Sequence, residues 1–282
     1  MAPDEDRSQR AYWNAPATRA WATEHARIDA RFAPLTAALL DAAAPRPGER
    51  VLDVGCGSGS TVLALAERVG PTGSVLGVDI AEASVATAEA RLAAAALPQA
   101  RVALADAASH PFPQGGFDLL FSRFGVMFFE DPVPAFANLR RALAPGGGRA
   151  ALLAWRPAAE NPWASAPVAA VRHLLPPLPQ PGPEEPGQFA FGDAARVRRI
   201  LGGAGFRDVA VAPRDLPLRL GADARDAAAF ALSLGPAQRA LLGAPQAQRD
   251  AVRAGLLEFF RAHEGPEGVV LPSAVWLIEA RP

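Results

Sequence analysis

Apolar positions along the chain keep two rhythms. Between Ala11 and Ala44, Trp13, Trp21, Ile28, Phe32, Leu35 and Leu39 recur at roughly helical spacing until Pro45 and Pro47 interrupt, which predicts a helical segment. Beyond it, short unbroken apolar runs alternate with helical stretches. VLDV (51–54), SVLGVD (74–79), RVALAD (101–106), FDLLFS (117–122) and RAALLAW (149–155) predict strands, and Ser60 to Val69, Glu82 to Ala96 and Val133 to Leu143 predict the intervening helices. Strands buried on both faces read as continuous apolar runs, and their alternation with helices predicts a parallel, doubly wound sheet with right-handed crossovers.

After Trp155 the rhythm breaks. LLPPLPQPGPEEPG (174–187) cannot be regular helix or a central strand, so it reads as an ordered loop or mobile flap. Order returns with a helix in DAARVRRILGGAGF (193–206), a strand at VAVAP, a helical insertion from Asp223 to His263 and a last strand, VVLPSAVWLIEAR (269–281). The expectation is an α/β, doubly wound, seven-stranded and mostly parallel sheet. Its parts are an N-terminal helical cap (1–46), a core (47–156), a flap or lid (157–192), and a completion of the core (193–282) with a helical insertion at about 216–265.

Composition narrows the partners. With 282 residues, half of them hydrophobic, the chain can bury a sizeable core. A net charge of −1 supplies no basic field for nucleic acid or an anionic membrane surface. All 28 Lys+Arg residues are Arg, which reads as codon usage rather than chemistry. The single Cys56 excludes an internal disulfide, nothing in MAPDEDRSQR looks like a leader, and no apolar run approaches the ~18 residues of a membrane span, so the expected setting is cytoplasmic. The four histidines, His25, His110, His173 and His263, lack metal-ligand spacing, and no metal is expected.

The candidate chemistry lies in VLDVGCGSGS (51–60), a glycine-rich turn between the first strand and a helix. Such a turn lets a ligand approach bare backbone N–H groups. A dinucleotide fingerprint needs G-x-G-x-x-G, but Ser60 stands at the third glycine position and Gly59 is one place early. Asp53, at the end of the strand, would repel a pyrophosphate and favours a ligand carrying an ammonium and a sulfonium. Asp79 closes the second strand about twenty residues past the loop, where an acidic side chain meets ribose hydroxyls, and Asp106 closes the third.

With those residues in view the chain resembles the class I S-adenosylmethionine-dependent methyltransferases. VLDVGCGSGS, GVDIAEASVATAEARL, ADAASHPFPQGGFDLLFSRFGVMFF and LRRALAPGGGRAALLAW match the family's successive motifs over about residues 47–156. SRFGVMFF and NPW (161–163) are similar to bacterial quinone-biosynthesis and natural-product members. The resemblance implies a Rossmann-like methyltransferase fold, S-adenosylmethionine as donor, S-adenosylhomocysteine as product, and an O, N or C nucleophile of a small, partly apolar molecule as acceptor. It implies that Asp53, Gly55, Cys56, Gly57 and the adjoining Gly59 hold the methionyl end and that Asp79 clamps the ribose. Ile80 would pack on the adenine, Asp106 and Ala107 would meet its edge, and the Ser122 backbone would lie near the sulfonium. Val85 stands where Met is frequent.

The outer parts of the chain would then choose the substrate. Tyr12, Trp13, Arg123 and Trp163 are candidates for its pocket, although Trp at helical spacing also serves simple packing. His173 and His25 are candidate general bases, set against ordinary surface histidines. A homodimer stays open. The alternative is a cofactor-retaining cyclase or binding protein of the same fold. A nicotinamide oxidoreductase is disfavoured by Ser60 and by the lack of any Lys.

Overall fold

Six strands sharing one direction and one reversed strand carry the molecule. The computed structural model describes residues 8–177, 182 and 184–282. β1 (Arg50–Val54), β2 (Ser74–Asp79), β3 (Ala100–Leu104), β4 (Leu119–Arg123) and β5 (Arg149–Trp155) run parallel; β6 (Arg207–Gly221) and β8 (Gly268–Arg281) complete the sheet in the order β3-β2-β1-β4-β5-β8-β6. β8 is antiparallel to both neighbours. The sheet has eight strands rather than the seven expected, because the two-residue β7 (Glu264–Gly265) folds back on the start of β8. Two residues of a tight hairpin leave no periodic signal.

Helices α4 (Ser60–Val69) and α5 (Glu82–Ala95) connect β1 to β2 and β2 to β3, and α6 (Pro132–Ala142) connects β4 to β5. Crossovers therefore leave β1 and β4 in opposite directions. Between these strands lies the switch point of the sheet, where open α/β sheets bind ligands at their carboxyl ends.

The predicted N-terminal helix is divided. α1 (Gln9–Asn14), a 3-10 turn at Pro16–Thr18 and α2 (Ala20–Thr23) precede the long α3 (His25–Ala43). Thr18 stops the first turns by donating from Oγ1 to the carbonyls of Trp13 (2.8 Å) and Ala15 (2.7 Å). α3 packs on β4, β5 and β6, with Leu35 and Leu39 fully buried, so it is a layer of the core rather than part of a separate N-terminal cap.

Two further segments differ from expectation. β6 continues to Gly221, because Leu216, Pro217, Leu218 and Arg219 pair in register with β8 before a shift at Leu220, and the proline is tolerated on an edge strand. The helical insertion begins where the Asp223–His263 reading places it, later than the domain bound of about 216, with α9 (Ala224–Ser233), α10 (Pro236–Ala240) and α11 (Gln246–Arg261). The segment after β5 also holds a helix the sequence did not signal, α7 (Pro162–Ala170), starting at the proline of NPW; α8 (Ala194–Gly203) follows as expected. Of the proline run, residues 178–181 and 183 lie outside the described residues.

Asn161 welds this segment to the sheet. Fully buried, it donates from Nδ2 to the carbonyls of Arg156 (3.1 Å) and Ala274 (3.0 Å) and accepts at Oδ1 from the Ala274 N–H (2.9 Å) and Trp163 Nε1 (3.0 Å). Asn161→Ala strands these groups in the interior. A loss of about 2–4 kcal/mol of stability in urea unfolding is expected, and a variant within about 0.5 kcal/mol of wild type would contradict the weld.

Candidate cofactor site

Gly55, Gly57 and Gly59 all adopt left-handed backbone, with φ of 69°, 53° and 84°. Each answers a different neighbour. A side chain on Gly55 would begin 2.5 Å from the Cα of Gly125 after β4, and one on Gly59 would begin 2.9 Å from the Ala88 Cβ on α5. Around Gly57 nothing lies within 4 Å of the same position. The outer glycines thus admit a neighbouring backbone and helix, while the middle one turns bare backbone outward.

Ser122 fixes this meeting of strands. Its buried Oγ donates to the Val54 carbonyl (2.7 Å) and accepts from the Gly125 N–H (3.2 Å), joining the ends of β4 and β1. Gly125 was missed in the sequence, although an F-G pair directly after the fourth strand was its signal.

Two carboxylates underlie the loop. Asp53 is fully buried; its Oδ2 accepts from Thr61 Oγ1, and its Oδ1 has no hydrogen-bond partner. Burial pushes its pKa up to about 7, against the Thr61 hydrogen bond and the positive charge of Arg123, with Asp79 adding to the rise. Asp79 accepts from the Gly57 N–H (2.8 Å) and the Ala81 N–H (2.9 Å), and burial raises its carboxyl despite these donors. Its oxygens keep lone pairs for hydroxyl donors, and the unpartnered Asp53 oxygen marks where a cation would be stabilised. A donor with a ribose and an ammonium group fits this set.

Cys56 is a packing residue. It is 3 % exposed, and a side chain on Gly77 of β2 would start 2.9 Å from its Sγ. Burial, with the charges of Asp79 and Asp53, holds the thiol well above its usual pKa, the reverse of a nucleophilic cysteine.

Ile80 and Asp106 follow along the same edge. Asn14 of α1 donates to the Ile80 carbonyl (2.9 Å) and accepts from the Glu82 N–H (2.9 Å). Asp106 is exposed and accepts from the Ala108 N–H (2.9 Å), while the buried Ala107 accepts at its carbonyl from Asn138 (3.2 Å). β1, β2 and β3 being adjacent and parallel, the loop, Asp79 and Asp106 stand at three neighbouring carboxyl ends.

The N-terminal turns reach this edge. Trp13 lies edge-on to Phe128 (5.0 Å) and Trp21 (5.9 Å), and the Tyr12 hydroxyl accepts from Arg239 of α10 (3.0 Å). A cavity of about 90 Å³ lies between Trp13, Asn14, Thr18 and Arg19 and the start of α5. Trp163 stands 4.7 Å from Trp155, which stacks on Phe124 at 4.1 Å. Arg123, expected in the substrate pocket, points instead to the α3–α4 junction, donating to Thr36 (2.6 Å) and Ser60 (3.1 Å). Of the candidate bases, His173 is exposed on the turn after α7, and His25 Nδ1 bonds the Ala22 carbonyl (2.9 Å).

Comparison with known proteins agrees with this geometry. A family model described as a methyltransferase domain matches residues 51–147. Nocamycin O-methyltransferase of Saccharothrix syringae is 36% identical over 195 residues, covering 67% of this chain and 70% of that protein. Aklanonic acid methyltransferase DauC of Streptomyces sp. (strain C5) is 37% identical over 116 residues, covering 41% of this chain and 53% of the relative. In fold, the chain is similar to the YcgJ protein of Bacillus subtilis, with a TM-score of 0.56 at 20% identity, over 88% of this chain and 98% of that one.

Two outcomes test the site. Gly57→Ala is expected to fold at a cost of about 1–2 kcal/mol for left-handed backbone and to lose affinity for S-adenosylhomocysteine in calorimetry; unchanged affinity would remove Gly57 from the site. Asp53 keeps its proton to about pH 7 when folded but releases it near pH ~4 when unfolded. Its contribution to stability is therefore full at acid pH and is lost as pH rises towards 7, and Asp53→Asn should flatten that part of the urea-midpoint profile. Parallel profiles for variant and wild type would contradict the assignment.

Proposed function

This chain belongs to the Rossmann-like, S-adenosylmethionine-dependent methyltransferases, and from that premise we propose that it methylates an oxygen, nitrogen or carbon nucleophile of a partly apolar, natural-product-like or quinone-like small molecule. The bare Gly57 backbone above the Asp79 carboxylate carries the reading, because that pairing suits a nucleoside held by its ribose beside a cationic centre. The donor, when bound, supplies a methyl carbon activated by a sulfonium.

The chain's own part is to bind, orient and exclude water. Gly55, Cys56, Gly57 and Gly59 form the cradle for the methionyl end, with Asp53 as the buried counter-charge beneath it. Asp79 takes the ribose hydroxyls. Ile80, Asp106 and Ala107 border the base, and the Ser122–Gly125 turn flanks the cradle. Tyr12, Trp13 and Trp163 lie on the segments that face the acceptor, and the described part of the 157–192 segment, anchored to the sheet by Asn161, serves as a lid.

No general base is required by this arrangement. Holding two reactants in line contributes up to about 7–11 kcal/mol, while His25 Nδ1 is engaged by the Ala22 carbonyl and His173 is exposed on the turn after α7. A cap and lid that expel water also remove the hydration of an anionic nucleophile before it reacts.

The test is calorimetric titration with S-adenosylhomocysteine, followed by mass spectrometry of acceptor panels for products heavier by one CH2. Asp79→Ala is expected to weaken binding by about 1–3 kcal/mol. An unchanged affinity in that variant, or cofactor binding with no methylated product from any phenolic, enolic or quinol acceptor, would count against the proposal.

A further inference from the structure

Two arginines outside the ligand-facing side reach the glycine loop from behind. Arg91 of α5 donates from Nη1 to the Ser58 carbonyl at 2.6 Å and from Nη2 to Asp29 Oδ2 at 2.7 Å. Arg123 donates to Ser60 Oγ at 3.1 Å and to Thr36 Oγ1 at 2.6 Å, its guanidinium lying over the Phe32 ring. Asp29, Phe32 and Thr36 are spaced by three and four residues on α3, and so share one face of that helix. One helix face therefore controls both arginines, and the arginines hold the residues on either side of Gly59.

The Ser58 carbonyl shares a peptide plane with the Gly59 N–H, which donates to the Cys56 carbonyl (3.0 Å), and the preceding Gly57 N–H is held by Asp79 (2.8 Å). Ser58 lies between two glycines in left-handed backbone, whose freedom to rotate is greatest. Rotation of its peptide would carry the outward Gly57 backbone with it. The Ser58 hydroxyl reaches only the Trp21 carbonyl, at 3.4 Å. The short bond from Arg91 to the Ser58 carbonyl adds a charge-assisted restraint, and Asp29 fixes the guanidinium that makes it.

We infer that the Asp29–Arg91 pair is a positioning strut for the donor: α3, through Arg91, helps to set the orientation of the Ser58 peptide and thereby of the Gly57 backbone. The inference rests on the donor reading above. It assigns the α3 layer a part in cofactor affinity. The pair is not itself a large source of stability, since both side chains are about a quarter exposed, 24% and 23%, and such ion pairs contribute little.

The experiment is calorimetric titration of the full chain with S-adenosylhomocysteine, alongside the thermal midpoint of the unliganded protein. In Arg91→Ala the dissociation constant should rise about tenfold, and in Asp29→Asn about threefold. Arg91→Lys should fall between wild type and Arg91→Ala, because an ammonium lacks the fork that spans both partners. Millimolar guanidinium should restore part of the affinity of Arg91→Ala, and the unliganded midpoint should move by less than about 4 °C. An unchanged dissociation constant in Arg91→Ala, or a loss of affinity tracking an equally large loss of stability with no rescue by guanidinium, would overturn the strut. Failure of the wild type to bind would strike the donor reading instead.

Discussion

The carboxyl edge of the sheet is organised by the close approach of two backbones, Gly55 after β1 and Gly125 after β4. Side chains there are excluded on both sides: one on Gly125 would begin 2.5 Å from the Val54 carbonyl and 2.7 Å from the Gly55 Cα. The Ser122 hydroxyl ties the two strand ends together. With that contact made, the chain leaves β1 in a turn only glycine adopts comfortably, Gly57 faces outward and its N–H meets Asp79. The position of the site thus follows from how two parallel strands part at the switch point.

Charge is arranged around that point with little water to screen it. Burial raises both Asp53 and Asp79; the Asp79 charge adds to the rise at Asp53, and Arg123, whose own pKa is lowered by burial and supported by Asp29 and Asp53, offsets part of it. The Asp53 carboxyl is raised chiefly by burial, and a positive group above it would favour its ionised form. The aromatic wall beside it, Phe32, Phe124, Trp155 and Trp163, carries strain of its own, since Phe124 is held at a φ of 67° while stacked on Trp155.

The parallel core was legible because its strands are continuous apolar runs, and β2, β5 and α4 begin and end where the pattern places them. The loop and the acids at three strand ends were legible from spacing alone. Less visible was anything that depends on contacts distant in sequence. Asn161 reads as a turn residue and is a buried weld; Arg123 reads as a pocket cation and braces α4. The long β6 was shortened by Pro213 and Pro217, whose tolerance depends on the edge position that only the sheet order reveals. α3 looked like a cap because amphipathic period does not say which surface a helix covers.

The central claim is that the Gly55–Gly59 loop and the Asp79–Ala81 turn together hold a cationic nucleoside. Hydrogen–deuterium exchange of the full chain with and without S-adenosylhomocysteine tests this most directly. The account predicts slowed exchange concentrated in the peptides spanning the loop, the end of β2 and the Asp106 turn, with the β6–β8 ribbon unaffected. Binding that protects some other surface while those peptides exchange as before would contradict it.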